Sequence, residues 1–344
     1  MGQPAAGPVV AIDLGGTQIR TAYVTTAFEV SFRRAAPTGD SSRIDAVIAD
    51  ISRLAREAAA DVSTAGLPPP VGIGISSPGP IDPWRGLVVA PPNLHGWHDV
   101  PLADEVERAL GLPTFLERDT NVAVLAEWQA GAAAAADDVV YVTVSTGIGG
   151  GVVSGGQPLM GPDATAGEVG HMTVEIDGPL CGDGKPGHAE AIGSGTAIAR
   201  DGRTAVEEAR APMLARLVGG DATTVSAALV ARAADEGDLA CAAIMDRAYQ
   251  AVGAMCASLV NVLNPEVIVL GGSIAEHRPR LREVVREEID RRSFAIPAAR
   301  VRVVAPHFGD DVSLVGCVPL VAARLHDPAF RRDGAAAPPI HGQT

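Results

Sequence analysis

Residues 9–17 read Val9-Val10-Ala11-Ile12-Asp13-Leu14-Gly15-Gly16-Thr17, an apolar strand that runs into a glycine-rich turn. The same plan returns about 130 residues later, in Val140-Tyr141-Val142-Thr143-Val144-Ser145-Thr146-Gly147-Ile148-Gly149-Gly150-Gly151. Glycines beside Ser or Thr let backbone N–H groups point into a concavity that holds an anion. Two such turns predict a polyphosphate, and hence nucleotide chemistry, between two lobes.

Both turns differ from the common nucleotide-binding loops. The chain has no Gly-x-x-x-x-Gly-Lys-Ser/Thr run, so neither turn is a P-loop, and Val152 stands where a dinucleotide fingerprint needs a glycine. The residues after both turns resemble strand, whereas a Rossmann turn opens a helix. Glycine-rich turns between strands are most often plain hairpins. The turns are therefore phosphate-binding hairpins or plain ones.

Length and charge narrow the classes of function. The chain has 344 residues, enough for two domains, and a net charge of -14. This charge argues against a nucleic-acid partner and against anionic membrane surfaces. The sequence shows neither a membrane-spanning apolar stretch nor a signal pattern. Its four cysteines are scattered, unlike a disulfide framework, so we expect a cytoplasmic protein with reduced thiols.

Strands alternate with helices along the chain, which predicts an α/β fold. Apolar spacing indicates helices over 43–60, 119–129 and 239–263, and a last helix near 314–325. Residues 154–195 are dense in Gly, Pro, Asp and His, and an irregular segment of this length inside a domain is usually functional.

Asp119 is the candidate general base. It lies in Glu117-Arg118-Asp119-Thr120-Asn121, at a strand end and a helix start. One interpretation is a helix cap, the commonest role of Asp at such a position. The other is a carboxylate that takes a proton from an attacking hydroxyl, as kinases require.

Several polar side chains suit hydroxyl recognition, because carboxylates, imidazoles and amides form directional hydrogen bonds. Glu168 and His171 lie three residues apart, and Glu190 follows in the same glycine-rich segment. Asn93 lies in a separate loop. Each of these residues could bind a polyol or be ordinary loop polarity.

At this point the sequence resembles a known family, the ROK family (repressors, open reading frames, kinases). The resemblance covers residues 9 to about 325 and rests on seven motifs in the family's order. These are Asp13-Leu14-Gly15-Gly16-Thr17, Pro78-Gly79-Pro80-Ile81-Asp82, Asn93-Leu94-His95-Gly96-Trp97, Arg118-Asp119-Thr120-Asn121, Ser145-Thr146-Gly147-Ile148-Gly149-Gly150-Gly151, Gly167-Glu168-Val169-Gly170-His171 and Asn264-Pro265-Glu266-Val267-Ile268-Val269-Leu270-Gly271-Gly272.

The resemblance implies an α/β, two-lobed, actin-like sugar kinase fold with ribonuclease H-like lobes and a central cleft. We expect a small lobe over 1–118, completed by a C-terminal helix over 313–326, and a large lobe over 119–312. Residues 327–344 would form a flexible tail. The family also implies ATP, Mg²⁺, phosphate transfer to a sugar hydroxyl and a homo-oligomer, which by this resemblance is a dimer.

Carried over residue by residue, the resemblance makes Asp119 the catalytic base. It assigns phosphate and nucleotide contacts to Asp13, Gly15, Gly16, Thr17, Thr146, Gly147, Gly271 and Gly272. It assigns sugar contacts to Asn93, Arg118, Glu168, His171 and Glu190.

Three departures from the family pattern stand out. Gln18 replaces the usual Lys after Gly-Gly-Thr, and Arg118 replaces the Asn before the base. The family's zinc-binding motif has three cysteines, and this chain keeps only one of them, Cys181. The possible ligands that remain are His171, Cys181, Asp183 and His188, all of legitimate types. The loss of two thiolates weighs against zinc, and hydrogen bonds that involve Asp183 and His188 are the alternative means of organising this segment.

The sequence thus predicts an ATP-dependent sugar kinase of the glucokinase type, which converts glucose to glucose 6-phosphate. An N-acetylhexosamine or other aldose kinase is the alternative within the enzymes. A non-catalytic sugar sensor is the alternative from another class, although a sensor needs neither Asp119 nor two phosphate turns.

Overall fold

The computed structural model describes residues 7–330 as a mixed α/β protein with two five-stranded sheets. Contacts between Cα atoms divide these residues into two compact units. The first unit holds 7–137, 151–166 and 306–330, and the second holds 138–150 and 167–305. Within 7–330, no helix combines the length and the apolar character needed to cross a membrane.

The first sheet starts as an antiparallel meander and continues in parallel. Its strands are β1 (Val9–Leu14), β2 (Gln18–Val24), β3 (Val30–Pro37), β4 (Ile73–Ser77) and β7 (Thr114–Arg118), in the order β3-β2-β1-β4-β7. β1 is antiparallel to β2 and parallel to β4, which is parallel to β7. The carboxyl ends of β1, β4 and β7 therefore meet at one edge, where Asp13, Ser76 and Glu117 stand in register.

Helices cover both faces of this sheet. On one face lie α1 (Ile44–Thr64) and α2 (Leu102–Leu110), with the short pair β5 (Ile81–Asp82) and β6 (Leu87–Val88) nearby. On the other lie α3 (Asp119–Ala130), α12 (Val312–Val315) and α13 (Cys317–Arg324). Alternate residues of β1 enter the two cores, as the period of two of a strand requires: Val10, Ile12 and Leu14 in one, Val9 and Ala11 in the other.

The second sheet also combines antiparallel and parallel strand pairs. Its strands are β8 (Val139–Val144), β9 (Ile148–Ser154), β10 (Gln157–Pro158), β11 (Val267–Gly271) and β12 (Arg302–Val304), in the order β10-β9-β8-β11-β12. β11 is parallel to both β8 and β12. Every residue of β11 is buried, as expected of a central parallel strand.

The second unit carries the remaining helices. They are α4 (Glu190–Gly193), α5 (Gly195–Glu207), α6 (Pro212–Leu217), α7 (Ala227–Asp235), α8 (Leu239–Leu263), α9 (Ser273–His277), α10 (Arg280–Arg292) and α11 (Ala295–Arg300). α8 is the longest, and it ends where Asn264 adopts a left-handed conformation before Pro265. The helix predicted over 239–263 is confirmed.

β4 runs through Ser76 and Ser77, where pairing with β7 continues to Arg118. One local prediction was wrong. The single C-terminal helix expected over 313–326 is two helices, α12 and α13, that meet at Gly316. A Cβ at Gly316 would collide with the Val122 carbonyl oxygen, so the chain approaches α3 too closely for any larger residue.

The lobe boundary expected after residue 118 stays a prediction. α3 and the C-terminal helices α12 and α13 belong to the first compact unit. Compactness alone does not define where one lobe ends and the next begins. Of the tail predicted over 327–344, Pro328–Phe330 forms a short 3₁₀ helix, and residues 331–344 lie outside the described residues.

A buried ion pair ties α13 to the end of β7. Arg324 Nη2 donates to Glu117 Oε2, and the two side chains are 6% and 2% exposed. Arg324 Nη1 donates to the Leu116 carbonyl oxygen at 2.8 Å, and the guanidinium lies 4.2 Å from the centre of the Phe330 ring. Burial lowers the pKa of Arg324, and the charge of Glu117 opposes that effect.

Removing one partner of this pair should be costly. Arg324→Ala would leave the Glu117 carboxylate buried without its counter-charge, so we expect a loss of about 3–5 kcal/mol of unfolding free energy. Urea denaturation followed by circular dichroism measures it. Arg108→Ala removes the exposed pair with Glu105 and should leave the midpoint unchanged. Equal midpoints for the two variants would contradict a structural role for the buried pair.

Candidate functional site

The first glycine-rich turn joins β1 to β2 within the first unit. The Gly15 N–H donates to the Gln18 carbonyl oxygen at 2.9 Å, and Thr38 Oγ1 donates to the Gly15 carbonyl oxygen at 2.6 Å. A Cβ at Gly16 would lie 2.9 Å from the Asn93 carbonyl oxygen. The loop of Asn93 is thus packed against the turn, which brings two sequence-predicted elements together.

Asp13, at the end of β1, is held by a residue that sequence reasoning missed. Arg20 donates to Asp13 Oδ2 through Nε at 2.9 Å and Nη2 at 2.7 Å. The two residues face each other across the hairpin. A cation placed symmetrically with Asp13 about the turn was the available signal, since cross-strand neighbours of opposite charge attract.

Asp119 is the first residue of α3, and its side chain is exposed while its neighbours Arg118 and Thr120 are buried. Its Oδ1 accepts the Thr120 N–H at 2.7 Å, so the carboxylate satisfies one donor of the first helical turn. The N-cap position itself belongs to Arg118, in extended conformation. A solvent-facing carboxylate at the positive end of a helix fits both a helix cap and a general base.

Arg118 points into the first unit. Its side chain is buried, and Nη2 donates to the Ala166 carbonyl oxygen at 2.5 Å. Glu117 Oε1 accepts the backbone N–H of Arg118 at 2.8 Å and the Asn121 amide at 3.0 Å. The guanidinium therefore stabilises the segment that ends at Ala166. Glu117, which is paired with Arg324, also bonds the backbone N–H of the residue that precedes Asp119.

The second glycine-rich turn joins β8 to β9 and is tied to the start of α5. The Ser145 carbonyl oxygen accepts the Gly195 N–H at 2.8 Å. The Thr146 carbonyl oxygen accepts from Thr196 through its N–H at 3.1 Å and its Oγ1 at 2.8 Å. The carbonyl oxygens of the turn are therefore bonded to α5, and the Thr146 side chain is exposed.

A cavity of about 430 Å³ opens beside this turn, within the second unit. Its hydroxyl-bearing lining comes from Ser145, Thr146, Thr196, Ser226 and Ser273, its apolar lining from Ala199, Val225, Ala227, Ala228 and Ile274, and the rest from Gly195 and Arg203. Residues of the first turns of α5 and α7 line it, so two helix N-termini adjoin the cavity. Such N-termini attract anions.

Gly271 and Gly272 lead from β11 to this cavity. Gly272 has a φ of 89°, and a Cβ there would lie 2.6 Å from Thr143 Oγ1 and 2.6 Å from the Val144 carbonyl oxygen. Only glycine fits at this turn, and it places Ser273 in the cavity wall. Ser273 Oγ in turn lies 3.0 Å from Ser145 Oγ.

Glu190, the first residue of α4, contacts the second turn directly. Its Oε2 accepts the Ile148 N–H at 2.8 Å. Glu168 precedes a short 3₁₀ helix, Val169–His171, and both Glu168 and His171 are exposed. These three sequence-predicted residues lie in the second unit, whereas Asn93, Arg118 and Asp119 lie in the first.

The four candidate metal ligands converge. One ligand atom from each of His171, Cys181, Asp183 and His188 lies within 4.8 Å of the others. The two histidine Nδ1 atoms are 3.2 Å apart, and they lie 3.6 Å (His171) and 3.5 Å (His188) from Asp183 carboxylate oxygens. Burial opposes ionisation of Asp183, but the Lys185 N–H and the nearby histidines and lysine together lower its pKa.

Cys181 completes the cluster and leads to Glu190. Its Sγ lies 3.6 Å from Glu190 Oε1, within range for a thiol hydrogen bond. Burial raises the pKa of the Cys181 thiol, and the negative charge of Glu190 adds to that effect. The convergence of His171 with a segment seventeen residues later was predicted only through the family motif, since sequence spacing alone gives no such contact.

The chain is similar to known proteins over most of its length. The ROK family model matches residues 9–324. A glucokinase of Thermotoga maritima is 33% identical over 317 residues, which cover 92% of this chain and 98% of the relative. An N-acetylmannosamine kinase of Shigella flexneri is 32% identical over 309 residues, covering 90% and 96%.

A solved structure shows the same fold. The ROK family glucokinase of Streptomyces griseus, crystallised with glucose and AMPPNP, superposes with a TM-score of 0.75 at 27% identity, covering 91% of this chain and 99% of that one. The α/β, two-lobed, actin-like fold predicted from the sequence is thereby confirmed. Taken with the family match over residues 9–324, these likenesses show that the chain belongs to the ROK family.

Proposed function

We propose that this chain, an ATP-dependent sugar kinase, transfers the γ-phosphoryl group of ATP to the 6-hydroxyl of glucose. The glucokinase of Thermotoga maritima and the Streptomyces griseus structure with glucose and AMPPNP support this choice of substrates. The observation that best supports this reaction is the position of Asp119. Its carboxylate is exposed, accepts the Thr120 N–H and directly follows the buried strand β7.

Asp119 would act as the general base. The nucleophile of a sugar kinase is a neutral hydroxyl, and a carboxylate in hydrogen-bond reach takes its proton as the O–P bond forms. Buried Glu117 and Arg118 immediately precede it, so the base is held on a rigid strand end. Most of the catalysis then comes from positioning and charge neutralisation.

The cavity beside the second turn would take the nucleotide. Its apolar lining suits a base, and its hydroxyl-rich lining with two helix N-termini suits phosphates. Gly271 and Gly272 would adjoin the adenosine, and Thr146 and Gly147 would contact phosphate oxygens. In the first unit, Asp13, Gly15, Gly16 and Thr17 would form the other phosphate loop.

Asp13 also fits a divalent cation. Carboxylate oxygens are the protein ligands that Mg²⁺ prefers, and it keeps most of its waters. Both hydrogen bonds that Arg20 donates to Asp13 go to the same carboxylate oxygen, Oδ2. When bound, Mg²⁺ would neutralise charge on the phosphates.

The sugar would be recognised by hydroxyl-binding side chains: Asn93, Glu168, His171 and Glu190. We include Arg118 in this group because it directly precedes Asp119 in the sequence. Its buried guanidinium, bonded to the Ala166 carbonyl oxygen, supports the loop before Glu168. We propose that Arg118 affects the sugar site indirectly, by holding this loop in place.

His171, Cys181, Asp183 and His188 would hold zinc. Nitrogen and oxygen ligands at a tetrahedral zinc stand about 3.3–3.4 Å apart, given Zn–N distances of about 2.0–2.1 Å. The histidine Nδ1 atoms are 3.2 Å apart, and they lie 3.6 Å (His171) and 3.5 Å (His188) from different oxygens of Asp183, which is close to this spacing. A structural zinc would add folding energy to a loop-rich segment.

An N-acetylhexosamine substrate is the second candidate, and the Shigella flexneri N-acetylmannosamine kinase favours it. We also propose a homodimer in the cytoplasm. All four cysteines are free thiols, consistent with a reducing compartment.

A coupled ADP-release assay over a sugar panel tests the proposed substrate. We expect kcat/KM for glucose to exceed that for mannose and N-acetylmannosamine. A higher value for N-acetylmannosamine would overturn the choice of glucose and leave the chain a sugar kinase of the other specificity.

Asp119→Asn should lower kcat by about 10²–10⁴-fold, the usual cost of losing a general base. Sugar affinity, measured by calorimetry, should stay within about tenfold, because the amide still bonds a hydroxyl. Asp104→Asn, in the first turn of α2, is the matched control and should keep full activity. If Asp119→Asn retains more than about a tenth of kcat, Asp119 is a helix cap and no base.

Elemental analysis tests the metal proposal. Purified protein should hold about one zinc per chain, and His188→Ala should lose it together with several degrees of melting temperature. His326→Ala, an exposed histidine outside the cluster, should change neither value. Protein that is free of zinc after metal supplementation, with a chelator-independent melting temperature, would show that hydrogen bonds alone organise the segment.

A further inference from the structure

The Glu190 carboxylate lies between the second glycine-rich turn and the metal-ligand cluster. Its Oε2 accepts the Ile148 N–H at 2.8 Å, and its Oε1 lies 3.6 Å from Cys181 Sγ. Both oxygens therefore have protein partners within the second unit. Each oxygen can still accept a further hydrogen bond, but these contacts show that the side chain also serves the turn.

Gly147 makes this approach possible. A Cβ at Gly147 would lie 2.6 Å from Glu190 Oε2, closer than side-chain atoms come to one another. The glycine of the turn and the carboxylate of Glu190 therefore constrain each other. Any larger residue at 147 must displace either the carboxylate or the turn.

The turn is held from two directions. The α5 residues Gly195 and Thr196 bond to its carbonyl oxygens, at Ser145 and Thr146. Glu190 bonds to a backbone N–H on its other side, at Ile148. Inside the turn, the Ser145 N–H donates to the Gly147 carbonyl oxygen at 2.9 Å. Loss of the Glu190 contact would free the half of the turn that runs into β9.

We infer that Glu190 is a positioning residue for the second phosphate loop and thereby sets the affinity for the nucleotide. The inference rests on the proposed nucleotide-binding role of that loop and goes beyond the sugar contact assigned to Glu190. The function of the side chain toward the loop is acceptance of a hydrogen bond, for which an amide oxygen suffices. Its negative charge, close to bound phosphates, works against ATP.

Two variants separate these effects. In Glu190→Gln the amide oxygen keeps the Ile148 contact and the charge is lost, so Mg·ADP affinity should stay within about threefold of wild type or improve. Glu190→Ala removes the charge as well, but it also leaves the buried Ile148 N–H without this acceptor, so affinity should fall at least about tenfold below that of Glu190→Gln. Glu175→Ala, on the same segment and paired with exposed Arg247, is the control and should change nothing.

The measurement is isothermal titration of Mg·ADP into each full-length variant, with circular dichroism to confirm folding. The KM for ATP at saturating sugar should follow the same order. Glu190→Ala binding Mg·ADP as tightly as wild type would overturn the inference, and so would Glu190→Gln binding as weakly as Glu190→Ala. A purely structural effect would lower the melting temperature without this rescue by Gln.

A double-mutant cycle with Gly147→Ala gives an independent check. If the two residues constrain each other, Gly147→Ala should weaken Mg·ADP binding less in the Glu190→Ala background than in wild type. An equal cost in both backgrounds would contradict the coupling.

These outcomes are distinct from failure of the proposed function. A wild type that binds Mg·ADP in this pattern but phosphorylates no sugar keeps the inference and rejects the sugar kinase. A wild type that phosphorylates glucose, with Glu190→Ala altering only the KM for sugar, keeps the function and rejects the inference. Absence of Mg·ADP binding by the wild type would reject both.

Discussion

A chain with 27 basic and 41 acidic residues has to bind a triphosphate. Bulk charge opposes that task, so we expect the binding energy to come from local features, namely fixed dipoles and the proposed Mg²⁺. In the proposal above, the glycine-rich turns would supply backbone N–H groups to the phosphates. The first turns of α5 and α7 add the positive ends of two helices to the cavity lining. Among the residues that line this cavity, Arg203 alone carries a full positive charge.

The proposed base depends on fixed local structure in the same way. Asp119 is exposed, but the elements that position it are deeply buried: the Arg324–Glu117 pair, and the hydrogen bonds from the Arg118 N–H and the Asn121 amide to Glu117. The C-terminal helix α13 is thus part of the support for the strand end that precedes Asp119. A buried pair of this kind holds geometry even when its net contribution to stability is small.

Much of this could be predicted from the sequence, because the decisive features are local. The two turns follow from glycine beside Ser or Thr after an apolar strand, and α8 follows from its apolar spacing. Arg20, the Glu117–Arg324 pair and the Glu190–Ile148 bond were missed because each joins residues far apart in sequence or across a hairpin. The splitting of the last helix at Gly316 depends on contact with Val122, which no local pattern encodes.

The most direct test of the proposed hexose kinase activity is the chemical identity of the product made from ATP and glucose. Phosphorus-31 NMR of the reaction mixture should show ADP and a sugar phosphomonoester in equal amounts, with the ester phosphorus coupled to the protons of C6. Inorganic phosphate in place of the sugar ester would show that water is the acceptor, and would contradict the assignment of this chain as a hexose kinase.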